Sequence, residues 1–305
     1  MNRLGAKVLA AVAGGPATVA TVAERLGSDP SSVEVAAHSL ADRGYLVIDL
    51  PTLALADGLE YRQEVLVRLL PPAYTAEVRQ TVDSTNRVAG ELLEGGHERV
   101  LVAAEVQTAG RGRRGRSWRS PPGGIWISLG DARPRPAPAG WIEGLALTLA
   151  TADAVEGLGL DPRLKWPNDV TLDGSKLAGV LVGVTTAGSV RIRTIAGLGL
   201  NANVALADLP PAATSLRAHV GDVTRAPVVA AIAWSYERYR AEETRTVDAW
   251  RKRCDTIGRS VVVDTVDGRE TGRATGLDEE GSLQVERDGE TVAIRPERCR
   301  RLRYR

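Results

Sequence analysis

The chain has 305 residues, 43 % of them apolar, and a formal net charge of +1. That length suits two or three domains rather than one, and the near-zero charge gives no overall pull toward nucleic acid or a membrane surface. No window of eighteen apolar residues exists for a transmembrane helix.

Cys254 and Cys299 are far apart and form no CxxC, which fits a reducing cytosol. The three histidines are scattered, which argues against a zinc site and against a serine–histidine–acid triad. Lysine occurs only at positions 7, 165, 176 and 252 in an otherwise arginine-rich chain. A lysine kept among arginines points to a need for a compact charge, and two of the four lie close together.

The apolar run Val8–Ala13 follows Arg3 and Lys7 but is broken by Gly14-Gly15-Pro16. It reads as the first helix of a folded domain, not as a signal peptide. Residues 3–13 and 18–26 read as helices, the second capped by Thr18 or Thr21. After the turn Gly27–Pro30, Ser31 or Ser32 can cap a third helix to about Arg43. Gly44–Ile48 then enters a strand. Three short helices and a small ribbon describe a winged helix-turn-helix, with a plain three-helix docking module as the alternative. A helix-like stretch from Leu59 to Leu70 ends at Pro71-Pro72 and marks the junction.

A larger body starts near residue 75. Glu77–Val82 alternates as a strand, and Asp83-Ser84-Thr85 caps a helix ending at Gly95-Gly96. Val100–Val106 and Ile125–Leu129 read as strands, and Ile142–Leu158 as a buried helix. A proline-rich surface loop spans Arg133–Ala139. Leu177–Val184 and Ile192–Val204 read as strands around a turn at Gly188. Pro227–Tyr239 and Val247–Arg253 are helices. Beyond Gly258, short strands separated by Asp267-Gly268, Asp278–Gly281 and Asp288-Gly289 suggest a small barrel. The domains expected are 1–65, 75–254 and 258–305.

Three clusters carry chemistry. The first is Gly110-Arg111-Gly112-Arg113-Arg114-Gly115-Arg116-Ser117-Trp118. It contains GxGxxG, but Pro121-Pro122-Gly123-Gly124 follows where a dinucleotide fold needs a helix N-terminus. Walker A is absent. Glycines let backbone N–H groups approach an anion, and arginines fork onto phosphate or carboxylate oxygens. A loop so charged is expected to order around a bound anion. A small-anion site, an exposed basic loop and a nucleic-acid arm all remain open on spacing alone.

The second cluster is Lys165-Trp166-Pro167-Asn168-Asp169. Asp169 can hold Mg²⁺ or be an ordinary turn carboxylate. The hairpin at Thr171–Ser175 should return Lys176 beside Asn168 and Asp169. The third cluster, Gly197-Leu198-Gly199-Leu200-Asn201-Ala202-Asn203, is a glycine-broken strand ending in amides. It reads either as an edge with a bulge or as a recognition element for a base or urea-like group.

In this order the motifs resemble those of biotin–protein ligases of the form with an N-terminal winged helix-turn-helix. The family loop GRGRxGRxW matches residues 110–118, and its KWPND box matches Lys165–Asp169. Its KLAG strand matches Lys176–Val184, its GxGxNxN strand Gly197–Asn203, and its DSTN start Asp83–Asn86. Gly183 stands where the family often has glutamate, and the basic tail Arg295–Arg305 has no family counterpart.

The resemblance implies an α+β multidomain fold: winged helix-turn-helix, a mixed-sheet catalytic domain like that of class II tRNA synthetases, and an SH3-like small β-barrel. It implies biotin contacts from Ser84, Thr85, Gln107, Gly110, Arg111, Arg113, Trp118 and Lys176. Nucleotide contacts fall to Arg113, Asn168, Lys176 and Asn201, and metal to Asp169. Catalytic roles go to Lys176, Arg111 and Arg113. The implied reaction uses ATP, biotin and Mg²⁺ to form biotinyl-AMP and then modifies a lysine of a biotin carboxyl carrier protein in the cytoplasm, with no membrane partner. Lipoate or another acyl acid is the alternative substrate, a biotin-responsive repressor the alternative function, and a homodimer is compatible with both. Against the repressor, residues 21–50 carry a formal −3 with His38 neutral. Weak or absent DNA binding is therefore expected.

Overall fold

The computed structural model describes residues 1–136, 140–187 and 190–305. The turn expected at Gly188 and the end of the proline-rich loop, 137–139, lie outside the described residues.

The chain opens with α1 (Arg3–Ala11), β1 (Ala17–Thr18), α2 (Val19–Leu26), α3 (Pro30–Ala41) and the hairpin β2 (Leu46–Asp49)–β3 (Thr52–Leu55). The strands pair in the order β1-β3-β2, forming a wing beside the three helices. Thr18 caps α2 by accepting from Thr21 N–H at 3.1 Å. The cap of α3 is Asp29, not Ser31 or Ser32: its carboxylate accepts from Ser32 N–H at 3.2 Å, and Pro30 takes the first helical turn. A carboxylate there both satisfies a free N–H and meets the positive end of the helix dipole. The helix expected from Leu59 is shorter, α4 (Gln63–Leu69).

The apolar residues of α1 share one continuous core with the helices of the central body. Lys7 Nζ sits 3.2 Å from Asp153, and Ala13 C=O accepts from Thr224 N–H at 2.8 Å. The N-terminal unit is therefore packed onto the body along α1.

The body contains β4 (Thr75–Val82), α5 (Thr85–Glu94), β5 (Arg99–Gln107), β6 (Ile125–Asp131), β7 (Arg135–Pro136), α6 (Gly140–Gly157), β8 (Arg163–Lys165), β9 (Asp169–Leu172), β10 (Ser175–Ala187), β11 (Val190–Leu200), α7 (Arg217–Val220), α8 (Arg225–Ala241) and α9 (Glu243–Arg253). The sheet runs β4-β5-β6-β11-β10-β9-β8, with β7 beside β11. β4 and β5 are parallel and the other pairs antiparallel, so the sheet is mixed. Strand periodicity divides its faces. Leu101, Ala103, Ala196, Leu198 and Leu200 join the core that contains α6 and α8. Val100, Val102, Ala104 and Ile195 pack with α5 on the other face. Gly197 and Gly199, two and four residues after Ile195, share that second face.

The C-terminal strands are β12 (Ser260–Thr265), β13 (Arg269–Leu277), β14 (Leu283–Arg287), β15 (Glu290–Ile294) and β16 (Cys299–Tyr304). They correct the expected SH3-like barrel. The sheet is open, in the order β15-β14-β13-β12-β16, and no pairing joins β15 to β16 among the described residues. A barrel closes only when its edge strands bond to each other. Here the sheet covers its apolar face against the body. Val261, Val263, Leu283 and Leu302 belong to the main core, and Trp166 Nε1–H donates to Gly281 C=O at 3.0 Å across the junction. Trp166 of the second motif is thus a buried fastener between the body and the C-terminal sheet.

Candidate functional site

A cavity of about 300 Å³ opens on the second face of the sheet. Its floor is glycine. Gly199 pairs with Gly179 across β11 and β10, and Gly197 pairs with Leu181. A methyl group on Gly199 would strike the Trp118 indole, and one on Gly197 would strike the Asn86 amide. The third motif is therefore neither an edge nor a bulge at this point, because β11 is central and in regular register with β6 and β10 here. Its glycines let side chains lie flat on a sheet face.

One wall carries polar groups. Gln107 Oε1 accepts from both the N–H (2.9 Å) and the hydroxyl (3.1 Å) of Thr85, so it caps the first turn of α5 in place of Ser84. Gln107 Nε2 donates to Ser120 Oγ at 2.8 Å. The Ser128 hydroxyl donates to Asn86 Oδ1 at 2.6 Å. Each of these groups has its orientation fixed by a neighbour. Asn86, Ser120 and Ser128 were not anticipated from the sequence, although Asn86 directly follows the Asp-Ser-Thr signal.

The arginine loop folds as a tight hairpin over the cavity. Trp118 N–H donates to Gly110 C=O at 2.8 Å and Gly112 N–H to Arg116 C=O at 2.7 Å. Gly110 lies beneath the cavity lining; a Cβ there would come within 2.5 Å of Trp118 C=O. Arg111, Arg113 and Arg116 line the cavity with Trp118. Within the protein, Arg113 donates to the carbonyls of Pro296 and Cys299 (3.1 Å to the latter) and to Asn168 Oδ1 at 3.4 Å. Backbone carbonyls disperse the charge that would otherwise repel.

Lys176 is placed by the hairpin as expected. Its Nζ lies 2.7 Å from Asp169 Oδ1 and 4.9 Å from the Trp118 ring centre. Its backbone is fixed by the segment after β11: Lys176 N–H donates to Ala212 C=O and Thr214 N–H to Lys176 C=O, both at 2.9 Å. Asn168 lines the cavity, and its Nδ2 donates to Val180 C=O at 2.6 Å. Asn201 does not reach the cavity; it is buried and donates to Thr214 C=O at 2.9 Å.

Past Lys176 the cavity continues into a groove of about 420 Å³ between the body and β16. Lys165, Arg300 and Arg301 line it together with Arg113, Arg116 and Lys176, and Asp169 is its one acid among the described residues. The basic tail that matched no motif thus forms one wall of this groove.

The family comparison agrees with this layout. Residues 78–201 match the model described as "Biotin/lipoate A/B protein ligase family". The bifunctional ligase/repressor BirA of Bacillus spizizenii is 36 % identical over 225 residues, 68 % of each chain. The chain belongs to the biotin–protein ligase family. The Escherichia coli bifunctional ligase/repressor BirA is 30 % identical over 289 residues, 87 % of each chain. Among solved structures, the biotin protein ligase from Aquifex aeolicus in complex with biotin and ATP superposes with a TM-score of 0.63 at 25 % identity, covering 75 % of this chain and 99 % of that one. The matched segment of the family model runs from β4 to the end of β11, which holds every cavity-lining residue named above.

Proposed function

We propose that this protein is an ATP-dependent biotin–protein ligase. The carrying observation is one continuous cavity: an uncharged, amide- and hydroxyl-lined end at Thr85, Asn86 and Gln107 leads past Trp118 to Arg111, Arg113 and Lys176. That sequence of surfaces suits an acid with a polar ring, an apolar arm and a terminal carboxylate. The basic groove beyond Lys176 suits a polyphosphate.

In the first step a biotin carboxylate oxygen attacks the α-phosphorus of ATP. The bond to the β-phosphate oxygen breaks, pyrophosphate leaves and biotinyl-AMP forms. Lys176 and Arg113 stabilise the negative charge that builds on the α-phosphoryl oxygens. In the second step the ε-amine of a carrier-protein lysine attacks the acyl carbon. AMP leaves, and the amine loses one proton to solvent. No enzyme nucleophile is required.

A Mg²⁺ ion on the polyphosphate would take Asp169, the groove's carboxylate, in competition with Lys176. Most of its other ligands would be phosphate oxygens and water. The two buried free cysteines support a cytoplasmic setting.

A second activity, biotin-responsive repression, is favoured by the relatives: BirA of Bacillus spizizenii and of Escherichia coli are both named bifunctional ligase/repressors, and the latter aligns over 87 % of this chain. The helix-turn-helix and wing supply the matching architecture. This reading weighs against the weak-binding expectation drawn from charge.

Pyrophosphate release measured with biotin, lipoate and octanoate in turn tests the ligase reading. Release with biotin alone is expected; release with lipoate and none with biotin would overturn it.

A further inference from the structure

The arginine loop contains one arginine that does not line the cavity. Arg114 sits at the loop tip with φ 57°, a left-handed conformation disfavoured for any residue with a Cβ. Gly115 follows with φ 73°, where glycine is at ease. The left-handed turn sends the Arg114 side chain away from the cavity and onto the C-terminal unit. There its Nη2–H donates to Glu297 C=O, and its Nε–H to Cys299 C=O at 3.4 Å. Both acceptors lie where the short helical turn Pro296–Arg298 enters β16. The hairpin's own bonds fix its base at Gly110–Trp118 and Gly112–Arg116. Its tip is fixed to the rest of the protein through Arg113 and Arg114. Arg113 also faces the cavity and must respond to ligand, whereas Arg114 does not.

We propose that Arg114 is a positioning residue for the reaction: it ties the tip of the cavity loop to the C-terminal sheet, and so sets how firmly the loop retains the activated acid. The inference rests on the ligase reading for its catalytic consequence, though not for the tether itself. A guanidinium fork can hold two carbonyls at once, and lysine offers only a point donor. Loss of two charge-assisted hydrogen bonds shifts a local closing equilibrium by about tenfold or more.

The test uses the full-length protein and three variants: R114A, R114G and R114K. Amide hydrogen exchange over residues 111–117 is followed without ligand, with exchange in β12–β14 as a check that the C-terminal sheet stays folded. The rate of biotinyl-AMP loss from the preformed complex is measured by chase, and the transfer rate at saturating carrier is measured separately. R114A and R114G should both exchange about tenfold faster in the loop and lose adenylate faster. R114K should be intermediate, and transfer and β12–β14 exchange should be unchanged. If Arg114 acted only through its backbone, R114G would relieve the left-handed strain and behave as wild type or better, which would overturn the proposal. Unchanged loop exchange in R114A would do the same. A wild-type protein that makes no biotinyl-AMP would sink the ligase reading, and the exchange measurement would still decide the tether.

Discussion

The Lys176 ammonium lies between the Asp169 carboxylate, 2.7 Å away, and the face of Trp118, 4.9 Å to the ring centre. The carboxylate and the indole hold the charge at the junction between the cavity and the basic groove, where an attacked phosphoryl group would sit. Backbone bonds to Ala212 and Thr214 fix the strand position from which this side chain extends. A donor fixed in advance needs no reorganisation as charge develops. We expect K176A to slow single-turnover formation of biotinyl-AMP by about 10²–10³-fold. K176R should also be impaired, because a guanidinium, which pairs with a carboxylate and stacks on an indole more readily than an ammonium does, would be held by Asp169 and Trp118 and cannot present a compact point charge to the phosphoryl oxygens. Near-normal adenylation by K176R would show that a point charge is not needed there.

Gly199 makes a sharper steric case. A Cβ at this position collides with the Trp118 indole, whereas one at Gly183 on the neighbouring strand meets nothing within 4 Å. Overpacking by one methyl costs about 1–3 kcal/mol where nothing can yield. Trp118 forms the cavity wall, so we expect G199A to raise KM for biotin about tenfold or more, with G183A near wild type. Steady-state kinetics on both variants decide it; equal behaviour would mean that Trp118 moves aside without consequence.

These glycines illustrate what was legible from sequence. The loop, the Lys165–Asp169 box and the hairpin that returns Lys176 were readable because short-range geometry fixes them. The alternation that puts Gly197 and Gly199 on the cavity face was also in the sequence. Which face mattered was not, because that depends on α5 packing there. Ser120 and Ser128 are brought to the site's polar wall by long-range strand pairing, which leaves no local signal, whereas Asn86 sits in the first turn of α5 beside the Asp-Ser-Thr signal. The C-terminal strands were found as strands, but their closure into a barrel was not decidable from turn spacing. The sheet stays open because its apolar face is covered by the body around Trp166. Asn201 looked like a recognition amide because its neighbours were glycines; its actual partner, Thr214 C=O, lies thirteen residues on.

Acid should loosen the seam between the N-terminal unit and the body. Asp153 is almost fully buried, 3.2 Å from Lys7 Nζ, 2.9 Å from Arg253 and 3.0 Å from the Tyr239 hydroxyl. Burial by itself would raise its pKa, but the Lys7 and Arg253 charges outweigh that and hold the carboxyl below its ordinary value. A carboxyl depressed in the folded state contributes stability in full above its unfolded pKa of about 3.9, and loses it as pH falls through the folded value. We expect D153N to cost about 3 kcal/mol at pH 7. The deficit should begin to narrow below about pH 4, where the unfolded chain takes up a proton that the folded carboxylate does not, and should close only as pH falls through the folded value. Denaturant titrations at pH 7 and pH 3 measure both; a deficit independent of pH would detach the effect from ionisation.

DNA binding by the N-terminal unit should carry an unusual salt signature. The exposed face of α3 presents Ser31, Ser32, Glu34, Val35, His38 and Ser39, groups able to touch base edges but without positive charge. The cations of residues 1–62 are largely committed elsewhere. Lys7 pairs with Asp153, Arg25 donates to Ala11 C=O at 3.2 Å, and Arg62 pairs with Glu60. Arg43, exposed just past the end of α3, is the one well placed for a phosphate. Non-specific affinity comes from counterion release, with a slope of log K against log salt of about −0.9 per neutralised phosphate. A dimer using one such arginine per protomer should therefore give a slope of only about −2. The measurement is fluorescence anisotropy on the protein's own upstream DNA between 50 and 200 mM salt, as about the range in which phosphate contacts show, with biotin and ATP present. Specific retention with a shallow slope is the outcome expected of a repressor that reads bases with little help from charge. A slope steeper than about −4 would show that arginines of the wing side or the catalytic body join the interface. No retention even at the lowest salt would leave α3 as a structural helix and the protein as a ligase alone.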